Sequence, residues 1–335
     1  MIDFSKFDSL FQFVNYFNSE ERCKKAIAEA RWDEGDAVCP YCGCTHTYDC
    51  ESGRYACSKC GKRFSVTVGT IFENTKLPLQ KWFLAMYLVS SHKKGVSSHQ
   101  LARDIQVTQK TAWFMLQKVR SLFAQNDSEA LEGDVEMDEM YLGGREANKH
   151  ESKRTEGTQG RSTKTKSAIF GMVERDGNVV AMKVEDSKGA TLMPIVGQFV
   201  KEGSHILTDE GAMYVKLTSM GFTHDIVNHK AKEYVRAKDI HTNSIEGFWA
   251  HFKRVIFSTY HMVSKDYLQR YIDEQVYRWN TRDEKPSERF SMMFEEACKH
   301  FDYADVLGMS STVNVFTWKL KHDIYYHMKY GKRIA

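Results

Sequence analysis

A chain of 335 residues with 42% apolar content has room for two or three domains, each with a buried core. Its 47 Lys and Arg nearly cancel its 44 Asp and Glu, leaving a net charge of +3, so overall charge by itself identifies no nucleic-acid partner. Only four Pro are present, which excludes a long proline-rich linker, and the longest uncharged apolar run, residues 82–89, is too short to cross a bilayer.

The N-terminus mixes acids with aromatics and carries no secretory signal. The protein is therefore expected to be soluble and cytoplasmic, where cysteines stay reduced and a cysteine cluster points to metal before disulfide. Phe7, Leu10, Phe11 and Val14 recur at helical spacing and Ala26, Ile27 and Ala30 follow, so residues 6–30 are predicted as helix within an N-terminal segment 1–35. Seven of the eight cysteines lie between Cys23 and Cys60. Cys39-Pro-Tyr-Cys42-Gly and Cys57-Ser-Lys-Cys60-Gly are two knuckles separated by 14 residues, a spacing that predicts a ribbon over 36–70 holding one structural Zn²⁺ on four thiolates. The glycine after each pair lets the backbone bend toward the sulfurs. Cys44, His46 and Cys50 break the symmetric spacing and read as bystanders, and Cys23 reads as a buried apolar residue of the first helix. Arg54, Lys59, Lys62 and Arg63 weakly favour DNA over protein as the ribbon's ligand.

Residues 76–128 read as a helix-turn-helix segment, with the helical run interrupted near Lys94-Gly95. Ser97 or Ser98 can cap a short helix that buries Leu101, Ala102 and Ile105. Thr108 can cap a second that buries Ala112, Met115 or Leu116, and Val119. That helix would present Gln109 and Lys110 at its start, where a recognition helix meets base edges.

Beyond Gly133 the period changes. Strands are predicted near 135–142, 166–173 and 178–184, the last two hinged at Asp176-Gly177-Asn178. A helix over 190–201, a strand ending at Thr208-Asp209, a helix over 211–219, a strand near 224–227 and a long helix from Asn243 follow, and the chain ends in a basic helical tail over 301–335. The pattern makes 132–300 an α/β domain on a mixed sheet. Between Gly144 and Ser167 seven Lys or Arg and three Glu form a polar segment that reads as a mobile loop able to touch phosphates.

Three acids stand out by position: Asp138 on the first strand, Asp209 at the end of a later one, and Glu246 near the start of the long helix, with a gap of 36 residues between it and Asp209. Carboxylates converging from strand, strand and helix can hold two Mg²⁺ or Mn²⁺ ions about 4 Å apart for phosphodiester chemistry. Glu139 and Glu210 adjoin the two aspartates, and composition does not decide within either pair. Asn243, Glu246, Ala250 and Lys253 fall on one helical face, which sets Lys253 two turns past Glu246 and in reach of a phosphate.

Several motifs in series resemble the zinc-ribbon insertion-sequence transposases of the DDE type. They are Arg31-Trp32 ahead of the first knuckle, Val135-Glu-Met-Asp-Glu-Met-Tyr-Leu-Gly-Gly144, Thr208-Asp-Glu-Gly-Ala-Met-Tyr214, the run from His241 to Arg254, Tyr260-His-Met-Val-Ser264 and Arg278-Trp-Asn-Thr-Arg282. The resemblance implies a multidomain α/β protein: zinc ribbon, helix-turn-helix and a ribonuclease-H-like catalytic domain. It implies cleavage at the ends of a mobile element, joining to target DNA, Asp138, Asp209 and Glu246 as metal ligands, and Lys253 as their basic companion. A homo-oligomer assembled on DNA in the nucleoid of a prokaryotic host, with no membrane partner, is the corresponding expectation. The alternatives are a non-catalytic DNA-binding regulator on the same scaffold, or a nuclease that cuts without joining.

Overall fold

The computed structural model describes every residue except 1, 8, 33–35, 52, 125–128, 145, 158–161, 210, 228–239, 300 and 302–335. The basic tail expected over 301–335 thus lies outside the described residues, apart from Phe301. The chain divides into two units, one formed by residues 1–122 with 284–335 and the other by residues 123–283.

The first unit begins with α1 (Leu10–Tyr16) and α2 (Glu20–Arg31), where one helix over 6–30 was expected. Ser19 breaks it: extended at φ −136°, it accepts the amide of Arg22 and so starts a new helix rather than continuing the old one. The ribbon follows as a three-stranded antiparallel sheet of β1 (Thr47–Cys50), β2 (Arg54–Cys57) and β3 (Arg63–Ser65). Next come α3 (Leu79–Ser91), which is buried along most of its length, then α4 (Ser98–Asp104) and α5 (Gln109–Arg120).

One further helix of this unit comes from late in the sequence. It lies within the stretch 132–300 that sequence pattern groups with the α/β region. Its Phe290 and Phe294 meet Phe4, Phe13 and Phe83 at ring-centroid distances of 4.8–5.3 Å for the four closest pairs, an aromatic core assembled from both ends of the chain.

The second unit is a five-stranded sheet built on β4 (Asp134–Leu142), β5 (Ser167–Glu174), β6 (Val179–Val184), β7 (His205–Asp209) and β8 (Thr223–Val227), in the order β6-β5-β4-β7-β8. The first three strands form an antiparallel meander, and β7 and β8 run parallel to β4. The β5–β6 turn has Asp176 at φ +57°, with the Gly177 amide donating to the Glu174 carbonyl. One face of the sheet buries Val135, Met137, Phe170 and Met172 against α6 (Gly189–Phe199). The other buries Met140, Ile169, Val173 and Ala181 against α7 (Asn243–Val255) and α8 (Leu268–Asn280). The helix expected over 211–219 is instead two 3₁₀ turns, Ala212–Tyr214 and Thr218–Met220. Its run is closed by Gly221 at φ +87°, a conformation that ends helical turns. The helix of the first unit described above is α9 (Pro286–Cys298).

Candidate metal and catalytic sites

The knuckles bring four thiols together. Sγ of Cys39 lies 3.7 Å from that of Cys60, Sγ of Cys42 lies 3.6 Å from that of Cys57, and all four sit within 4.8 Å of one another. Sulfurs at about 2.3 Å from a tetrahedral Zn²⁺ must stand about 3.8 Å apart, so the cluster has the size of a closed zinc site. Gly43 at φ +69° and Gly61 at φ +67° return each knuckle in the left-handed conformation, and the Cys60 amide donates to the Cys57 sulfur at 3.5 Å. The Lys62 backbone amide holds the Cys60 thiol down at about 7, which favours the thiolate a metal needs. Cys44 and Cys50 stand outside the cluster, with sulfurs near the carbonyls of His46 and Tyr48, and Cys23 is fully buried in α2. The four-cysteine ribbon is a structural zinc site.

In the helix-turn-helix segment Ser97 accepts the Gln100 amide and Thr108 the Thr111 amide, so each helix starts at a side-chain cap. Leu101, Ile105, Ala112, Met115, Leu116 and Val119 are buried between them and the rest of the unit. Gln109 and Lys110 are both exposed at the start of α5, and Gln109 Nε2 donates to Ser98 Oγ at 2.8 Å.

In the second unit β4 and β7 are parallel neighbours whose last paired residues are Met137 and Thr208. The next residue on each strand is Asp138, midway along β4, and Asp209, the last of β7, so the two side chains leave neighbouring strands about 4.8 Å apart just past the end of their pairing. Alternation turns both to the α7 face, because Met137 and Ile206 belong to the core on the α6 face. It also separates Asp138 from Glu139, whose carboxylate points the other way and accepts a hydrogen bond from the fully buried Tyr214 hydroxyl. Glu210 lies outside the described residues.

Asp138 carries the electrostatic mark of a shared acid cluster. Burial first, then the charge of Asp209 and that of Glu246, push its carboxyl up to about 6. The Trp249 indole N–H is buried with no well-formed hydrogen bond, yet it lies close enough to Asp138 to favour the charged form. Glu246 stands exposed in the first turn of α7, and Asn243, Ala250 and Lys253 are exposed on the same stripe. Oxygens of the three acids do not all fall within 4.8 Å; among the described residues only the cysteine cluster meets that test. The acid site is thus an open arrangement: two carboxylates side by side and a third on a helix across from them.

Sequence reading passed over Glu136, two residues before Asp138 on the same face. It has no exposed surface, and it receives the backbone amides of Ser244 at 2.7 Å and Ile245 at 3.0 Å, as well as Arg175 Nε at 3.0 Å. An acid on the core-facing side of an apolar strand is the signal that could have found it.

Comparison with known proteins fits this geometry. Residues 130–280 match the model of the ISXO2-like transposase domain, and residues 18–63 match a transposase zinc-ribbon domain. An uncharacterized protein in transposable element ISH50 of Halobacterium salinarum is 32% identical over 272 residues, which cover 77% of this chain and 90% of that protein. An uncharacterized transposase-like protein of Haemophilus influenzae is 29% identical over 107 residues, 32% of this chain and 85% of that one. The crystal structure of the Mos1 strand transfer complex overlaps 62% of this chain and 75% of its own at 13% identity, with a TM-score of 0.26, too loose to bear on the site. The chain therefore belongs to the ISXO2-like family of insertion-sequence DNA transposases, with a zinc ribbon ahead of a five-stranded mixed sheet.

Proposed function

We propose that this transposase cuts DNA at the ends of a mobile element and joins the freed 3′ ends to target DNA, with Asp138, Asp209 and Glu246 as its catalytic acids. The observation that carries the reading is the position of Asp138 and Asp209 side by side on adjacent parallel strands, with Glu246 close enough for its charge to raise Asp138. A raised Asp138 beside two further carboxylates, all hard oxygen donors, suits Mg²⁺ or Mn²⁺. When bound, such ions supply Lewis-acid activation of the attacking oxygen and charge stabilisation of the leaving one.

Each remaining task falls to residues of this chain. Lys253, exposed two turns past Glu246, contacts a phosphate beside the reacting bond. Gln109 and Lys110 meet base edges at the element ends, and the ribbon adds a second DNA contact. In the first reaction water attacks phosphorus, the P–O3′ bond breaks and a 3′-hydroxyl is released. In the second that hydroxyl attacks a target phosphodiester, whose own P–O3′ bond breaks in exchange. Two element ends are held together by an oligomer of this chain on DNA.

The test is strand transfer with Mg²⁺ or Mn²⁺ on DNA carrying the element ends. Wild type is expected to cut and join, whereas Asp138→Ala, Asp209→Ala and Glu246→Ala each lose at least about 10³-fold while still binding DNA. A wild-type protein that binds and never cuts with either metal is a regulator, and one that cuts without joining is a nuclease.

A further inference from the structure

The α7 helix has an unusual start. Its cap residue Thr242 makes no side-chain hydrogen bond to the first turn. The amides that a cap would satisfy, those of Ser244 and Ile245, point instead at Oε2 of Glu136, at 2.7 and 3.0 Å. Ser244 Oγ adds a bond to Oε1 at 3.1 Å. The helix is capped from the sheet by a residue 108 positions away in sequence.

A carboxylate with no exposed surface is costly unless paired. Glu136 is paired on its remaining side as well: Arg175 Nε donates to Oε1 at 3.0 Å, and His241 Nδ1 lies 3.2 Å from the same oxygen. Arg175 itself comes from the β5–β6 turn, and its Nη2 donates to the His241 carbonyl at 3.0 Å. Sheet, hairpin and helix start therefore converge on one buried carboxylate. Thr242 already offers a hydroxyl at the cap position, which could serve the helix start at far lower desolvation cost, yet the two amides go to Glu136, so helix stability alone does not call for this arrangement.

What the arrangement adds is registration. Glu136 and Asp138 sit two residues apart on one strand face, about 6.7 Å. Glu246 is the residue after Ile245, whose amide Glu136 grips. The same short stretch of β4 thus holds one acid of the site and fixes the helix turn that carries another. We infer that Glu136 is a positioning residue that sets Glu246 against Asp138 and Asp209. The inference rests on the acid site proposed above, and its test keeps the two separable.

The measurement is Mn²⁺ binding to the full chain, followed by electron paramagnetic resonance, with no reaction required. Glu246→Gln is expected to weaken binding if the acids hold the ion. Glu136→Leu is expected to weaken it about 10–100-fold, the usual cost of removing a group that orients a metal ligand. In the Glu136→Leu/Glu246→Gln double variant no further loss is expected, because Glu136 acts through Glu246. Glu136→Gln keeps an oxygen for the two amides and should restore most of the affinity. Should Glu136→Leu fail to fold, Glu136→Asp takes its place, since it keeps the charge beside Arg175 but is one methylene too short to reach both amides. Wild-type affinity in Glu136→Leu, or in Glu136→Asp where that is the one measured, overturns the inference if Glu246→Gln still weakens binding. Unchanged affinity in Glu246→Gln instead removes the acid site itself.

Discussion

The zinc ribbon and the acid site proposed above are built on opposite plans. Four thiols within 4.8 Å of one another, supplied by two tight knuckles, leave no room for anything but an ion. The three acids come from a strand, a second strand and a helix, lie farther apart, and owe their position to a hydrophobic sheet rather than to each other. The contrast is that between a metal that makes a fold and a fold that, in the function proposed, places the acids for a metal. Removing the metal should therefore do very different things to the two regions.

The largest expected effect lies at the ribbon. Its sheet has strands of 4, 4 and 3 residues and buries only a few large side chains, among them Trp32 and Phe64. Zinc bound to such a module is worth on the order of 10 kcal/mol of folding free energy. Cys57→Ser is expected to lose the zinc, unfold the ribbon and weaken DNA binding, while the thermal transition of the second unit stays where it was. Zinc analysis and calorimetry check this together, and a full zinc complement in the variant would sink the assignment. Stripping Mg²⁺ from the acid site should unfold nothing.

A smaller effect should come from the packing that sets α7 on the sheet. Gly171 pairs with Asp138 across β4 and β5. A Cβ placed there would lie 2.5 Å from Trp249 Cζ2 and 3.1 Å from Ile245 Cδ1, both on α7. Gly171→Ala therefore pushes against the helix that carries Glu246. It should cost about 1–3 kcal/mol of stability, as overpacking does, and slow cleavage in the same stroke. Trp249→Phe in the same chain, by shrinking the ring, should recover part of both. A Gly171→Ala protein as stable and as active as wild type would mean that α7 shifts freely on the sheet and that the acid site is not held by packing.

Most of this was legible in residues that act locally. The knuckle spacing, the caps at Ser97 and Thr108 and the period-two strands depend on neighbours within a few positions, so pattern finds them. That Asp138 rather than Glu139 faces α7 was not legible from neighbouring residues, because it depends on which face of β4 meets α7, and Glu139 is claimed by Tyr214 from elsewhere in the chain. Glu136 was harder still: its meaning lies in partners 39 and 105–109 positions away. Nor did the sequence announce that Phe290 and Phe294 pack beside Phe4 and Phe13, since an apolar helical stripe does not say which core it joins.

The smallest effect is the most diagnostic of an acid site poised for a cation. Burial, Asp209 and Glu246 raise Asp138 to about 6 from the ordinary carboxyl value of 3.8 that it regains on unfolding. The folded protein therefore holds this proton more tightly than the unfolded chain does. Its favourable contribution is complete below about pH 4 and is lost as pH rises through about 6, where the ionised carboxylate stands unneutralised beside two others. Asp138→Asn removes that charge and keeps the shape. The second unit of the variant should melt about 2–4 °C above wild type at pH 7.5, the shift expected for roughly 1 kcal/mol in a unit of this size, and the gap should close toward pH 4. Saturating Mg²⁺ should raise wild type at pH 7.5 toward the variant and do little at pH 5, where the proton competes with the metal. Cleavage would be abolished throughout, so the substitution would trade activity for stability. If Asp138→Asn instead melted below wild type at pH 7.5, the carboxylate would have to be well satisfied by its protein neighbours, and the open acid site would lose its distinction from the closed one.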